Sequence, residues 1–323
     1  MNGPTRRGKV LLAALSGGLS GLACGCTGVQ RVNVHGWADS YRLDNGHVEM
    51  AVVPQIARVM SFGPAGGPNL LWTDPALYGR PADLTVRHWQ NFGGAKVWVA
   101  PQSAWTWPPD KLIDRGPCVA RVTPEQDLEL IGALSGRHGV RVDRRIRLLP
   151  DRPVAEIVYT LRNGSKQHVC WGLWSVLQLR AGGCAVLPAP DGSRYWLGDD
   201  AEPADRLRPQ DGLLVIPFEA RLPKVFLVCP EGWAAYRTEQ WVLVLSFEAD
   251  PHAAYPPQHG SVEFYTGEDY VELEHVGPRV DLAPGQTADM RERWHVYRLP
   301  TGTESPAAVA RFVDARLRTD PAD

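Results

Sequence analysis

Short runs in which apolar and polar residues alternate recur along this 323-residue chain and limit what it can fold into. In Val140–Leu148 and Arg291–Leu299 the apolar side chains largely fall two residues apart, the period of a half-buried strand. The 32 glycines and 28 prolines divide such runs into short segments. This pattern predicts an all-β sandwich or barrel. The predicted strands include His47–Val53, Leu128–Leu134, Val140–Leu149, Val154–Leu161, Leu213–Phe218, Val225–Val228, Trp241–Phe247 and Met290–Leu299.

Helix is predicted mainly at the C-terminus. Ser305 can cap a helix there, and Pro306 suits its first turn. The apolar face of this helix would consist of Val309, Phe312, Val313 and Leu317. We expect the helix to run from Ser305 to Leu317 and to cover the edge of the core. Residues 31–300 would then form one β-sandwich domain, and residues 301–323 would be the C-terminal helix and a frayed tail.

The N-terminus has the composition of an export signal. Residues 1–9 carry three cations and no acid, and residues 10–23 are apolar or small. This stretch is shorter than the ~20 residues of a spanning helix, and cysteines after small residues are typical of a bacterial lipoprotein. We predict a signal peptide at 1–25, lipidation at Cys26 and a tether at 26–30. The alternatives are lipidation at Cys24 and an ordinary secretory signal. The predicted location is the cell envelope, facing the periplasm or the exterior, with a lipid anchor as the only membrane contact.

The charge balance argues against a nucleic-acid partner. Removing residues 1–25 changes the formal net charge from −2 to −5, and no cluster of Lys and Arg offsets this. The chain also contains no Gly-x-Ser-x-Gly elbow, no P-loop and no dinucleotide fingerprint after a predicted strand. We therefore predict neither nucleic-acid binding nor a cofactor.

Four cysteines remain after the predicted signal: Cys118, Cys170, Cys184 and Cys229. An exported protein can form disulfides, and four cysteines allow three pairings that the sequence does not distinguish. The same residues can equally be small buried hydrophobes. Their spacing matches no zinc pattern, so no metal site is predicted.

Residues 87–110 combine four tryptophans with side chains that form hydrogen bonds in a plane. A sugar has apolar C–H faces and a rim of hydroxyls, so a site that binds one requires flat aromatic surfaces and fixed polar groups. We expect at least one of Trp98, Trp105 and Trp107 to line a pocket. The alternative is that all three are core residues, because large aromatic side chains are usually buried. The polar candidates in this segment are Arg87, His88, Asn91, Lys96 and Gln102.

Seven further motifs, in order and spacing, resemble those of aldose 1-epimerases and other galactose mutarotase-like proteins. They span most of Val48–Leu299. They are Met50–Phe62, Asn69–Trp72, Phe92–Trp98, Val262–Gly267, Tyr270–Pro278, Leu282–Gln286 and Glu292–Trp294. The resemblance implies a large antiparallel β-supersandwich with a sugar site in a groove on one face, which is consistent with the strand pattern.

The resemblance also implies a catalytic base. Mutarotation needs a base for the anomeric hydroxyl and an acid for the ring oxygen. Glu274 occupies the position of the family's catalytic glutamate, before the proline. Glu272 lies two residues earlier and therefore on the same face of the strand. Repulsion between these carboxylates would raise the proton affinity of one of them. Alternatively, Glu272 is an exposed strand residue or the partner of an arginine.

The acid of the family site has no clear counterpart. Phe92 stands where one family histidine is expected, and Trp174 or Ser175 stands where another is expected. His88 or His168 can substitute for these, although a lone histidine is more often a surface or core residue. Arg80 follows Gly79 much as the family's substrate-binding arginine follows a glycine. The full set of candidate sugar-binding residues is Arg80, Arg87, Asn91, Lys96, Trp98, Gln102, Trp105, Trp107, Trp174, Lys224 and Tyr265.

Three hypotheses follow from these residues. The first is a carbohydrate-binding envelope lipoprotein in which mutarotase-like catalysis is weak or lost. The second is an aldose 1-epimerase-like enzyme with a rebuilt general acid. The third is a structural envelope protein that holds a partner in the groove. The two missing histidines favour the first over the second, and the retained Glu274 favours both over the third. The expected partner is a mono- or oligosaccharide.

Overall fold

The predicted all-β architecture is confirmed. A computed structural model describes residues 28–199, 203–250 and 252–319 of the chain. These residues form two packed antiparallel sheets, one of eleven strands and one of nine. The predicted signal peptide and both candidate lipidation residues, Cys24 and Cys26, lie outside the described residues.

The strands are short, as the frequent glycines and prolines predicted. In chain order they are β1 (Gly28–Val34), β2 (Trp37–Asp44), β3 (Val48–Val53), β4 (Arg58–Pro64), β5 (Ala95–Ala100), β6 (Val119–Val122), β7 (Leu128–Ile131), β8 (Val140–Leu148), β9 (Val154–Asn163), β10 (Val169–Arg180), β11 (Cys184–Pro188), β12 (Tyr195–Leu197), β13 (Leu213–Pro217), β14 (Val225–Leu227), β15 (Trp233–Arg237), β16 (Trp241–Phe247), β17 (Val262–Thr266), β18 (Tyr270–Val276), β19 (Val280–Leu282) and β20 (Thr287–Arg298). The helices are α1 (Lys111–Arg115), α2 (Pro203–Arg206) and α3 (Pro306–Thr319), with 3-10 turns at Pro54–Ile56, Pro75–Leu77, Gln102–Ala104 and Phe218–Ala220.

The order of strands in each sheet differs from their order in the chain. The first sheet runs β1-β2-β3-β4-β5-β10-β18-β17-β14-β12, and β19 also pairs with β10. The second sheet runs β13-β11-β15-β16-β20-β9-β8-β7-β6. The middle of the first sheet is therefore formed by β5, β10 and β18, which are far apart in sequence. Side chains from these three strands meet on one face.

The main core lies between the two sheets. In β10, Leu173, Leu177 and Leu179 are buried in this core, whereas Trp174 and Val176 belong to a separate cluster on the outer face of the first sheet. This alternation follows from the two-residue period of a strand. Burial of each leucine stabilises the fold by roughly 1.5–3 kcal/mol. Both faces of β10 are thus covered, and for this reason the strand is apolar almost throughout.

The observed strands overlap all eight predicted runs, with one difference at the N-terminal boundary. β1 begins at Gly28, so residues 28–30, which were predicted as tether, pair with β2 instead, and Gly28 lies opposite Asp44. Backbone hydrogen bonds to β2 therefore extend the sandwich toward the predicted anchor. Among the described residues, four cysteines are free: Cys118, Cys170, Cys184 and Cys229.

The C-terminal helix forms where the sequence predicted it. The hydroxyl of Ser305 accepts the Ala308 N–H at 3.2 Å, which caps α3. Val309 and Val313 are fully buried against Trp233 on the outer face of the second sheet, and Phe312 and Leu317 pack beside them. Within the described ranges, no helix is long and apolar enough to cross a membrane.

Candidate functional site

The outer face of the first sheet carries a cluster of buried ionisable groups. Pairing of β17 with β18 places Glu263 opposite Glu274, and pairing of β10 with β18 places Gln178 opposite Glu272. Lys96 of β5 and Lys224, which directly precedes β14, reach the same face. We call Lys96, Lys224, Glu263, Glu272 and Glu274 the carboxylate–lysine cluster. Burying a charged group costs free energy unless the group is paired, so each of these side chains is expected to have a partner.

Glu274 is fully buried at the centre of this cluster. Its Oε2 accepts the indole N–H of Trp174 at 2.6 Å and a proton of Lys224 Nζ at 2.7 Å. Its Oε1 is buried and has no hydrogen-bond partner among the described residues. Burial raises the pKa of Glu274 to about 8; Lys224 opposes this shift, and the charges of Glu263 and Glu272 add to it. Burial therefore favours the protonated form of the Glu274 carboxyl.

Lys224 connects Glu274 to a second carboxylate. Its Nζ lies 2.7 Å from Glu263 Oε2. The other oxygen, Oε1, lies 2.7 Å from His259 Nδ1. The backbone N–H of Gln102 donates to His259 Nε2 at 3.1 Å, so a neutral His259 carries its proton on Nδ1 and donates it to Glu263. Burial alone would raise the pKa of Glu263, but Lys224 and His259 outweigh burial and lower it.

The third carboxylate, Glu272, lies at the rim of the cluster. Its Oε1 accepts from Lys96 Nζ and from Gln178 Nε2, each at 2.9 Å. Burial lowers the pKa of Lys96, and the charge of Glu272 partly offsets this effect. The Lys96 ammonium also lies 4.8 Å from the centroid of Trp98 and 5.2 Å from that of Trp89. A cation over an indole face is attracted to the ring electrons, which helps to stabilise this buried lysine.

Trp98, Trp105 and Trp174 form a buried cluster beside these charges. Trp98 and Trp174 meet edge to face, with centroids 5.0 Å apart. The indole N–H of Trp98 donates to Asp114 Oδ1 at 2.8 Å, and Asp114 pairs with Arg58 at 2.9 Å. Short helix α1, which carries Asp114, thus anchors the aromatic cluster to the sheet. Trp107, by contrast, is 51% exposed.

The structure brings together seven of the residues that the sequence singled out. They are Lys96, Trp98, Trp105, Trp174, Lys224, Glu272 and Glu274. Trp174 occupies the outer face and contacts Glu274, whereas Ser175 points to the inter-sheet core and donates to Glu292. Phe92 is fully buried in an apolar cluster with Trp37 and Met60. Neither expected histidine position therefore supplies an acid.

Other predicted residues lie away from the cluster or at its edge. Arg80, Arg87 and His88 are exposed, and Arg80 contributes its backbone carbonyl to the indole N–H of Trp37. Gln102 is exposed and reaches the cluster through its backbone N–H alone. The remaining candidates are Asn91, which accepts the Gly93 N–H, Tyr265, which is 38% exposed, and His168, which pairs with Asp281.

Sequence reasoning did not identify Glu263, His259 or Gln178. A hairpin centred on residues 267–270 would have placed Glu263 opposite Glu274, so the signal for that residue was present. His259 lies on a loop before β17, and no sequence pattern indicates where that loop turns. Among the described residues, no group of three or more His, Cys, Asp and Glu side chains is arranged to hold a metal ion.

Comparison with known proteins gives one family and many similar structures. The model of a family described as "Domain of unknown function (DUF4380)" matches residues 39–297. Comparison with curated proteins gives no match. A galactose mutarotase-like protein from Lactobacillus casei ATCC 334 has a TM-score of 0.57 at 10% identity, covering 80% of this chain and 100% of that one.

Two further structures share the fold. A galactose mutarotase related enzyme from Lactobacillus acidophilus has a TM-score of 0.57 at 10% identity and covers 80% of this chain and 97% of its own. An aldose 1-epimerase-like protein from Escherichia coli K12 has a TM-score of 0.54 at 17% identity, with coverages of 80% and 99%. At these identities the comparisons show that the chain has the galactose mutarotase-like fold.

Proposed function

The chain belongs to the DUF4380 family, and we propose that it is a carbohydrate-binding lipoprotein of the cell envelope whose mutarotase-like catalysis is weak or lost. The observation that carries this proposal is the network at the rim of the carboxylate–lysine cluster. Lys96 and Gln178 hold one oxygen of Glu272 in place, and partly exposed aromatic rings border it. Fixed polar groups beside flat apolar surfaces suit a sugar's hydroxyl rim and its C–H faces.

The aromatic border consists of Trp72, Tyr265, Tyr270 and Trp89. Trp72 and Tyr270 lie 4.7 Å apart, and Tyr265 and Tyr270 lie 6.5 Å apart. Tyr265 is also the strand partner of Glu272. Burial and the charge of Glu272 raise the pKa of Tyr270, so its hydroxyl stays protonated and can donate. A saccharide that lies on these rings would reach the Glu272 carboxylate.

Weak catalysis follows from the state of Glu274. A base must be ionised and free to accept the anomeric proton. The Oε2 of Glu274 already accepts from Trp174 and Lys224, so this oxygen is not free. Phe92 and Trp174, at the expected histidine positions, offer no general acid.

One observation favours the epimerase as a second candidate. The pKa of Glu274 is raised and that of Glu263 is lowered, although both carboxyl groups contact the same lysine. Two carboxyl groups whose proton affinities diverge can serve as an acid and a base. In this alternative Glu274 donates a proton to the ring oxygen, and Glu263, supported by His259, accepts one.

Calorimetry with a panel of neutral and acidic oligosaccharides tests the binding proposal. Glu272→Gln should weaken binding about tenfold, because a carboxylate acceptor is stronger than an amide. Glu129→Gln on the second sheet is the matched control, since Glu129 also pairs with a cation, Arg121. Binding that is equal in both variants, or absent for every saccharide, would contradict the proposal; the second result would leave a structural role in holding a partner.

The envelope location rests on the N-terminal sequence alone. Cys26→Ala should abolish incorporation of labelled fatty acid and release the protein from membranes, whereas Cys24→Ala should leave both unchanged. The reverse pattern would assign the anchor to Cys24. Full secretion of the wild-type protein without lipid would remove the lipoprotein assignment.

A further inference from the structure

A cavity of about 490 Å³ lies beside the exposed Trp107. Its walls include Leu84, Arg87, Trp107, Asp110, Lys111 and Arg137. We call it the Trp107 cavity. Its volume falls within the ~300–1,000 Å³ of small-molecule sites. The cavity therefore combines an aromatic surface with several charged side chains.

Trp107 presents its exposed surface to this cavity while its other contacts hold the ring in position. The indole meets Trp89 at 5.1 Å and Trp98 at 5.9 Å between centroids, both edge to face. Trp89 and Trp98 also flank the Lys96 ammonium. Trp107 thus contacts the aromatic cluster beside the carboxylate–lysine cluster. Because these contacts already restrain its ring, the side chain loses little conformational entropy when a ligand binds.

The charges that line the cavity are mainly positive. Arg87, Lys111 and Arg137 contribute three cations, and Asp110 is the carboxylate among the lining residues. Asp110 is already engaged, because Oδ1 accepts from Leu112 N–H at 2.8 Å and Oδ2 from the Ser135 hydroxyl at 2.8 Å. Asp83, whose charge acts on Lys111, is partly exposed and accepts from the Thr85 N–H and hydroxyl, so three cations face two carboxylates here. The local field therefore favours an anion.

The three cations retain donors for a ligand. Arg137 donates to the Thr106 carbonyl and hydroxyl, each at 3.0 Å, which fixes its guanidinium against the loop that carries Trp107. Lys111 Nζ donates once, to the Leu84 carbonyl at 2.9 Å. Arg87 is exposed and takes part in no hydrogen bond or ion pair within the described ranges. A guanidinium has five N–H donors and an ammonium three.

We infer that the Trp107 cavity binds an acidic sugar residue, with its ring against the indole and its anionic group at Arg87, Lys111 and Arg137. This inference rests on the proposed function and narrows its ligand class to anionic saccharides. A carboxylate, a sulfate ester or a phosphate ester would present the same chemistry to these cations. A neutral sugar would use only the indole and leave the cations solvated.

Calorimetry on the full-length protein in detergent tests this inference. The probes are a galacturonic acid disaccharide and the matched galactose disaccharide, with galactose 6-sulfate and galactose 6-phosphate to distinguish the three anionic groups. We expect the wild type to prefer the acidic disaccharide at least tenfold, and the preference to shrink as salt is raised. Arg87→Gln should remove most of the preference. Arg121→Gln, an exposed arginine on the second sheet, should keep it.

Two variants separate the contributions of ring and charge. Trp107→Ala should weaken both disaccharides, whereas Arg87→Gln should weaken the acidic one alone. Equal affinity of the wild type for both disaccharides, or an unchanged preference in Arg87→Gln, would overturn the inference and leave the proposed function intact. Absence of binding to any saccharide would overturn both.

Discussion

Glu274 and Glu292 are both fully buried carboxylates, but their surroundings differ. Glu292 lies between the two sheets, and its Oε1 accepts from Tyr159, Ser175 and Trp294, each at 2.8 Å. Its Oε2 lies 3.2 Å from His275 Nδ1. Glu274 lies on the outer face of the first sheet, where one of its oxygens has no hydrogen-bond partner among the described residues.

The difference separates a structural carboxylate from a candidate functional one. Tyr159 and Trp294 belong to the second sheet and Ser175 to the first, so Glu292 links the two sheets through a satisfied polar network. Such networks specify a single packing arrangement. The carboxylate–lysine cluster instead keeps three carboxylates close together and leaves an oxygen of Glu274 unpaired. Unpaired buried polar groups are uncommon and often mark functional sites.

Replacing Glu292 should have the largest effect on stability. Glu292→Leu removes the acceptor of Tyr159, Ser175 and Trp294. The Tyr159 and Ser175 hydroxyls, 3.1 Å apart, can still bond to each other, but the Trp294 indole N–H and one hydroxyl proton are left buried and unpaired. We expect the free energy of unfolding to fall by about 3–5 kcal/mol, measured by urea denaturation. Glu292→Gln keeps an acceptor oxygen, so its free energy of unfolding should fall by less. A loss below about 1 kcal/mol for Glu292→Leu would show that the network does not hold the sheets together.

The pH dependence of stability tests the state of Glu274. Its pKa rises from an ordinary value of 4.5 to about 8 in the folded protein. Between these two pH values the folded protein holds a proton that the unfolded chain has released, so stability falls as pH rises. Glu274→Gln has no such titration. The difference in free energy of unfolding, wild type minus variant, should therefore fall by roughly 2–4 kcal/mol from pH 4.5 to pH 8.

The two charged groups nearest Glu274, Lys224 and Glu263, do not titrate within this window. Burial lowers the pKa of Lys224, but the charge of Glu263 opposes this and the net shift is upward, so the lysine stays protonated throughout; the pKa of Glu263 lies below its ordinary value. If the difference in free energy of unfolding between wild type and Glu274→Gln is constant between pH 4.5 and 8, or rises, then Glu274 is already ionised and pairs with Lys224. The contrast between Glu274 and Glu292 as buried carboxylates would then no longer hold.

A matched pair of tryptophan variants should give the smallest effect and sharpen the comparison. Trp174 and Trp294 each donate an indole N–H to a buried glutamate, at 2.6 and 2.8 Å. Trp174→Phe removes a donor to Glu274, so the midpoint of its titration should move up by about one pH unit. Trp294→Phe should leave that midpoint unchanged while lowering stability. Equal midpoints in the two variants would contradict the assignment of the titration to Glu274.

Most of the fold was predictable from the sequence because strand periodicity is local. The runs that became β8 and β20 show their two-residue alternation directly, and Ser305 with Pro306 indicated where α3 begins. The pairing of residues 28–30 with β2 was not predictable, because backbone hydrogen bonds leave no pattern in side-chain types.

The candidate site was predictable only in part. Glu274 and Lys96 lie in motifs that resemble those of the mutarotase-like proteins, and the structure places both on one face. The roles of Glu263 and His259 depend on strand register and on a loop, and neither is local. The sequence also could not show that Ser175 faces the core and Trp174 the cluster, since that choice depends on which face of β10 meets the second sheet.

Polarimetry tests the central claim most directly, namely that the outer face of the first sheet binds sugar without efficient mutarotation. Purified protein is added to freshly dissolved α-glucose and α-galactose, with Glu274→Gln as the control. Loss of a general acid typically costs ~10²–10⁴ in rate, so we predict little acceleration and no difference between wild type and variant. Rapid mutarotation that Glu274→Gln abolishes would contradict this account. It would identify the Glu263–Lys224–Glu274 arrangement as the catalytic centre of an epimerase.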